Sequence, residues 1–161
     1  RNRKPVIGPN IKPFPLGKKL EDSIHKTVLL KLGDNITTDD ITPSNASLLP
    51  YRSNIPYLSQ YCFGTVSKHF KQLSEKYNGG IVIAGENYGQ GSSREHAALV
   101  PLYLNVRIII ARSFARIHKA NLINSGILPQ KTGVACMPRG RTSVKEEWLE
   151  RPRTRSSNCR P

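Results

Sequence analysis

Hydrophobic positions are unevenly distributed along the chain, and their spacing changes character several times. The run TVLLKL (27–32) is apolar and β-rich, and it stops at the turn cluster Gly33-Asp34-Asn35; it predicts a strand. Residues 36–60 are rich in Thr, Asp, Ser, Asn and Pro, which predicts a loop with short helical pieces. In VSKHFKQLSEKYN (66–78) Val66, Phe70, Leu73 and Tyr77 recur at helical spacing and predict one buried face, closed by Gly79-Gly80. IVIAG (81–85) and VRIIIA (106–111) are short continuous apolar runs, the pattern of strands buried on both faces. Between them SSREHAALVPLYL predicts a helix that Pro101 kinks or ends. SFARIHKANLINSG (113–126) predicts a second helix, with Ser113 as N-cap and Gly126 as C-cap, before a third strand opens at ILP (127–129) and the pattern stops. Strand–helix–strand–helix–strand order predicts an α/β fold with a parallel-sheet core, right-handed crossovers and flanking helices.

Both ends lack this periodicity. Residues 1–22 hold Pro5, Pro9, Pro13 and Pro15, which predicts an extended Pro-rich linker. The domain proper is expected over 23–130. Residues 131–161 are arginine-rich and read as a basic, disordered or divergent tail, with Trp148 solvated in it. Charge follows the same division. The 161 residues carry 25 Lys plus Arg and 11 Asp plus Glu, a net +14; residues 1–35 contribute +5, 36–130 only +4, and 131–161 +5. A basic surface spread over the whole molecule is therefore not the first reading, although basic tails attract polyanions.

Length fits one domain, and no apolar run approaches the length of a membrane span. The opening RNRKPVIGPN has no initiator Met and no signal-peptide core, so a fragment is expected. Cys62, Cys136 and Cys159 are widely spaced without a C-x-x-C, which argues against a zinc or iron–sulfur site held by this chain alone.

The stretch richest in chemistry is Gly85-Glu86-Asn87-Tyr88-Gly89-Gln90-Gly91-Ser92-Ser93-Arg94-Glu95-His96. It lies between a strand and a helix, where open α/β sheets bind ligands. Gly89 and Gly91 let the backbone approach a ligand. A helix N-terminus and the Arg94 fork both favour an anion, a carboxylate above all. Ser92-x-x-Glu95 also matches a capping box, which would make the same residues structural. The two readings stand side by side on local grounds. The glycines lack the third member of a dinucleotide fingerprint and the Gly-Lys-Ser/Thr of a P-loop, which disfavours NAD and ATP.

Four ordered blocks, LLKLGDNITTDDITP (29–43), LPYRSNIP (49–56), GENYGQGSSREHAAL (85–99) and ARSFARIHKANLINSGILP (111–129), resemble the C-terminal swivelling domain of the aconitase family, the bacterial type of aconitate hydratase most closely. The Gly-Ser-Ser-Arg-Glu-His block also occurs in small subunits of isopropylmalate and homoaconitate isomerases. The resemblance implies a hydro-lyase domain acting in citrate–isocitrate interconversion through cis-aconitate. It implies Ser92 as the base that removes a carbon-bound proton, Ser93 and Arg94 as binders of one substrate carboxylate, and Arg52 as the grip on another. It implies Asp39 as a supporting residue that orders the site; Asp40 stands where the family has a histidine. It further implies a 4Fe–4S cluster whose iron acts as Lewis acid, held by other domains or a partner chain, with no metal ligand here. A cluster-bearing partner, a tricarboxylate substrate, an isolated chain without activity, and a cytoplasmic location (the mitochondrial matrix in a eukaryote) follow from it. Two rivals accompany it: the small subunit or domain of an isopropylmalate or homoaconitate isomerase, and a non-catalytic RNA-binding module suggested by the +14 charge. His96 and His118 are expected to be satisfied structural histidines and His25 and His69 solvent-facing, while Glu86 and Asn87 either line the site or hold its loop.

Overall fold

The computed structural model describes residues 8–17 and 24–132. Of the proposed tail 131–161, Lys131 belongs to the last strand of the sheet, and residues from 133 on, with Cys136, Trp148 and Cys159, lie outside the described residues, as does much of the linker. β1 (Val28–Lys31), β2 (Gly80–Ala84), β3 (Val106–Ala111) and β4 (Leu128–Lys131) form a single parallel sheet in sequential order. Ile81–Ala84 pair in register with Ile108–Ala111, and Ile108–Ala111 with Leu128–Lys131. β4 therefore runs two residues past the ILP that announces it.

Alternation along the strands sends Val82, Ala84, Ile109 and Ala111 into the main core. There they meet the helix α4 (His96–Tyr103), in which every residue from Ala97 to Leu102 is buried. Ile81 and Ile108, facing the other way, are buried as well but outside that cluster. This two-sided burial explains why β2, and β3 from Ile108 on, read as apolar runs. α5 (Arg116–Ser125) packs against α4 and β4.

Between β1 and β2 the polar stretch folds as the short helices α1 (Thr38–Ile41) and α2 (Ile55–Leu58), with 3-10 turns at Ala46–Tyr51 and Ser59–Tyr61. Thr37 caps α1 in a reciprocal box with Asp40, so Asp40 is spent on its own helix. Asn45 and Asn54 cap the next two turns. Helical pieces this short stand on their caps and on buried Ile41, Leu48, Ile55 and Leu58.

Several local expectations are corrected. The helix predicted from Val66 to Tyr77 is only α3 (Phe70–Lys76); its buried residues are Phe70 and Ser74, whereas Val66 and Tyr77 are about half exposed. The serine is buried because its hydroxyl donates to the Leu104 carbonyl, an outlet that periodicity cannot register. α4 continues through Pro101 to Tyr103, since the proline costs one bond near the C-terminus of a helix whose packing is otherwise complete. Ser113 does not cap α5, which starts at Arg116 after Ala115; its hydroxyl accepts the Asn87 amide at 2.7 Å instead. Gly126 does end α5, with φ at +81°.

Candidate functional site

The loops that leave the C-terminal ends of β1, β2 and β3 are joined by main-chain hydrogen bonds. The amide of Gly85 donates to Gly33 (3.0 Å), Asn35 to Glu86 (2.8 Å), Gly89 to Ile36 (2.8 Å), Tyr88 to Ser113 (3.0 Å) and Ala115 to Tyr88 (2.9 Å). Asn87 adopts φ of +56° and its side-chain amide donates to Asn35 and Gln90, so it holds the loop. Glu86 is exposed beside it. Tyr88 anchors the loop from below, fully buried against Phe114 and His118 with ring centroids 5.9 and 5.4 Å away.

Gly89 follows with φ of +82°, and a Cβ there would lie 2.1 Å from Cδ2 of His118. Glycine is thus required twice, by the backbone and by the ring. Past it the loop rises to Ser92 and Ser93, both exposed, four and three residues before α4 begins. Glu95 is the N-cap and makes no side-chain cap bond, so the Ser92–Glu95 capping box does not form. The serines are left to the loop rather than to the helix end.

Arg94 is where the arrangement converges. Its side chain is 13% exposed; Nη2 donates to Thr38 Oγ1 and pairs with Asp39 Oδ1, both at 2.9 Å, and Nη1 donates to the Thr42 carbonyl at 3.2 Å. Burial alone would raise the Asp39 carboxyl, but the bonds from Arg94 and Ser44 outweigh it and hold the pKa below the usual carboxylate value. Asp39 is 64% exposed at its side chain, so the pair contributes orientation more than stability.

Two cavities flank Arg94. One of about 200 Å³ is lined by Ser92, Ser93 and Arg94 on the loop side and by Arg116, His118 and Asn121 of α5 on the other. The second is a narrow cleft that Arg94 shares with Arg52, His96, Thr42 and Ser44. Ser92, Ser93 and Arg94 are therefore together, Asp39 is bound to Arg94, and Arg52 reaches the group only from the far side of Arg94. Burial lowers the pKa of His96, as do the neighbouring charges of Arg52 and Arg94, against Glu95 and a bond with the Arg52 backbone that raise it. Chemically the site suits an anion with several oxygens: two arginines, two hydroxyls and no carboxylate line the larger cavity.

His118 departs from the satisfied structural histidine that was expected. It is 2% exposed, and neither ring nitrogen meets a partner among the described residues. Burial pushes its pKa from 6.5 down to about 4. The unfolded chain therefore binds a proton that the folded chain refuses between those values. Stability is full above pH 6.5 and falls as pH drops toward 4, by about 3 kcal/mol from this group. Urea melts between pH 7 and 4 are expected to show that loss, and His118→Phe is expected to flatten it. Arg116 and Asn121 were not singled out from sequence at all; the signal available was their place in the first turns of a helix that starts directly beyond β3. His25 and His69 are solvent-exposed.

The described residues do not fit an iron–sulfur cluster. Among them no group of three or more His, Cys, Asp or Glu is placed to hold a metal. Cys62 is fully enclosed, and burial raises its thiol pKa well above the ordinary value, away from the thiolate that a metal needs. No described helix is long and apolar enough to cross a membrane.

A parallel α/β domain that presents serines and arginines at the C-terminal edge of its sheet is thus the class defined by fold and site. Residues 51–133 match the family model of the aconitase C-terminal domain, and the chain belongs to that family. It is 41% identical over 102 residues to the methanogen homoaconitase small subunit of Methanocaldococcus jannaschii, covering 62% of this chain and 55% of the relative. It is 42% identical over 97 residues to 3-isopropylmalate dehydratase small subunit 1 of Thermotoga maritima, covering 60% and 56%. It is 37% identical over 135 residues to a probable mitochondrial aconitate hydratase of Caenorhabditis elegans, covering 70% of this chain and 17% of that one. The crystal structure of a 3-isopropylmalate dehydratase from Methanocaldococcus jannaschii superposes with a TM-score of 0.53 at 37% identity, covering 62% and 56%. The chain spans about half the length of the small subunits and about a sixth of the hydratase.

Proposed function

We propose that the chain is the swivelling domain of an aconitate hydratase-like hydro-lyase, contributing one wall of an active site that interconverts citrate and isocitrate through cis-aconitate. Cluster-bearing domains, on the same polypeptide or on a large subunit, complete the site and hold the 4Fe–4S cluster. What carries the reading is Ser92 beside a guanidinium whose direction is set by Thr38, Asp39 and the Thr42 carbonyl.

In this reading Ser92 Oγ removes the carbon-bound proton of the substrate. A hydroxyl is a poor base at neutral pH unless negative charge on it is stabilised; Arg94 and Arg116 line the same cavity and favour that charge. Ser93 and Arg94 hold one carboxylate, and Arg52 holds another from across the narrow cleft. Asp39 fixes the Arg94 fork against α1, because its oxygen and that of Thr38 take the same Nη2.

The small subunit of an isopropylmalate or homoaconitate isomerase is supported equally well by the relatives. The two differ in the substrate arm, so a substrate panel separates them. The chain is to be assembled with a cluster-bearing aconitase body or large subunit, and kcat/KM measured for citrate, isocitrate, isopropylmalate and homocitrate. The expected result is turnover with citrate and isocitrate at least about tenfold above the others. Preference for isopropylmalate or homocitrate transfers the chain to the second reading, and no turnover with any of them overturns both.

A further inference from the structure

Arg52 and Arg94 line the same narrow cleft, but they are held in different ways. The Arg94 fork has three partners, Thr38, Asp39 and the Thr42 carbonyl. Arg52 is exposed, and its guanidinium bonds to none of the described residues. What directs such a side chain is the backbone that carries it. Arg52 is the C-cap of the 3-10 turn Ala46–Tyr51, and its amide donates to the Leu49 carbonyl at 3.3 Å. Two residues on, Asn54 caps α2, which buries Ile55 and Leu58 and packs against α4. A polar tie between this turn and α4 comes from His96, the first residue of that helix. Its ring is half-buried at the cleft and bonds to the Arg52 main chain; the bond favours the protonated ring, which marks the ring as donor and the Arg52 carbonyl as acceptor. Burial and the charges of Arg52 and Arg94 still hold the ring pKa below its ordinary value, against that bond and Glu95. The imidazole is therefore neutral at pH 7, and it adds no third cation between the arginines.

We propose that His96 is a positioning residue: it ties the Arg52 backbone to the start of α4 and so sets where the Arg52 guanidinium stands relative to the Ser92–Arg94 loop. This rests on the reading of Arg52 as a carboxylate grip. Arg52 sits in a stretch of short turns held mainly by caps, a kind of structure that opens locally at low cost. α4, in contrast, is buried from Ala97 to Leu102. Tying the turn to that helix gives an otherwise unanchored arginine the rigidity of the core. Because His96 follows Ser92 and Arg94 by four and two residues, one short segment then carries the serine, one arginine and the tie to the other. The spacing between the two grips, and with it the length of polycarboxylate they accept, is fixed at that one point.

The test combines two readouts. In the full 161-residue chain labelled with carbon-13 and nitrogen-15, NMR at pH 7 is expected to show the His96 ring as one neutral tautomer, and His96→Ala is expected to move the Arg52 carbonyl resonance. In the assembled enzyme, KM is measured with whichever of citrate, isocitrate, isopropylmalate and homocitrate is preferred. His96→Ala is expected to raise KM about fivefold while kcat stays within about twofold. His96→Asn and His96→Gln each put an amide donor near one of the two ring nitrogens, and one of them is expected to return KM to the parental value. In an Arg52→Gln background the alanine change is expected to add less than about twofold, since the arginine it steers is gone. A purely structural histidine would cost the same in both backgrounds. An unmoved Arg52 carbonyl, an equal loss in both backgrounds, or no recovery with either amide variant overturns the positioning role. The failures are separable. If Arg52→Gln raises KM and His96→Ala does not, the positioning role falls and the Arg52 grip stands. If Arg52→Gln leaves KM at the parental value, the grip falls and takes the positioning role with it.

Discussion

Replacing Ser92 by alanine is expected to lower kcat of the assembled enzyme by about 10²- to 10⁴-fold while KM stays within about threefold of the parent. The asymmetry follows from where the serine sits. It is exposed on the crest of the β2–α4 loop, forms no cap and packs in no core, so its loss leaves the fold and the carboxylate grips intact. On the proposed function only the proton acceptor disappears. Arg94→Lys is the contrasting case, because one lysine nitrogen cannot replace a fork that reaches Thr38, Asp39 and the Thr42 carbonyl together. Steady-state kinetics and isotope exchange at the substrate carbon check the assignment. A Ser92→Ala enzyme that exchanges that proton at the parental rate ends Ser92's candidacy as the base.

The second large effect is on stability. Gly89→Ala is expected to cost about 2–5 kcal/mol, because an L side chain at φ +82° is strained and its Cβ would sit 2.1 Å from a buried ring carbon of His118. That is a large share of the roughly 5–15 kcal/mol that holds a domain together. Removing the ring in a Gly89→Ala, His118→Ala double variant is expected to recover part of the loss, since the contacts with ring carbons go while the close approach to the Cβ of residue 118 and the backbone strain remain. Urea denaturation of the single and double variants measures both terms. Additive losses would show that the two residues do not collide.

The sheet was legible because β2 and β3 are apolar on both faces, a pattern that few other elements share. Helix boundaries were less so. Ser113 has the chemistry of an N-cap, yet its hydroxyl is taken by Asn87, 26 residues away in sequence. Ser92 and Glu95 have the spacing of a capping box, yet the helix starts at His96 with Glu95, not Ser92, at its N-cap. For Ser113 a contact between loops outcompetes a local one, and local patterns carry no record of it. Within the site, the loop residues Ser92, Ser93 and Arg94 announced themselves through the glycines around them. The attachment of Arg94 to α1 and the arrival of Arg116 and His118 depend on the parallel crossover that sets α5 beside the loop, and no spacing within one segment encodes that.

The seam of amide-to-carbonyl bonds joining the three loops has an evolutionary corollary. Because most of the bonds that hold Gly85, Glu86, Tyr88 and Gly89 to their neighbours run between main-chain atoms, with the Asp34 carboxylate holding the Glu86 amide, substitutions at exposed positions of those loops away from Asp34 are expected to alter what is displayed more than where it is displayed. On the proposed function, a scaffold fastened in that way would let lineages exchange one hydroxy acid for another by changing a few exposed residues, with Ser92 staying in place.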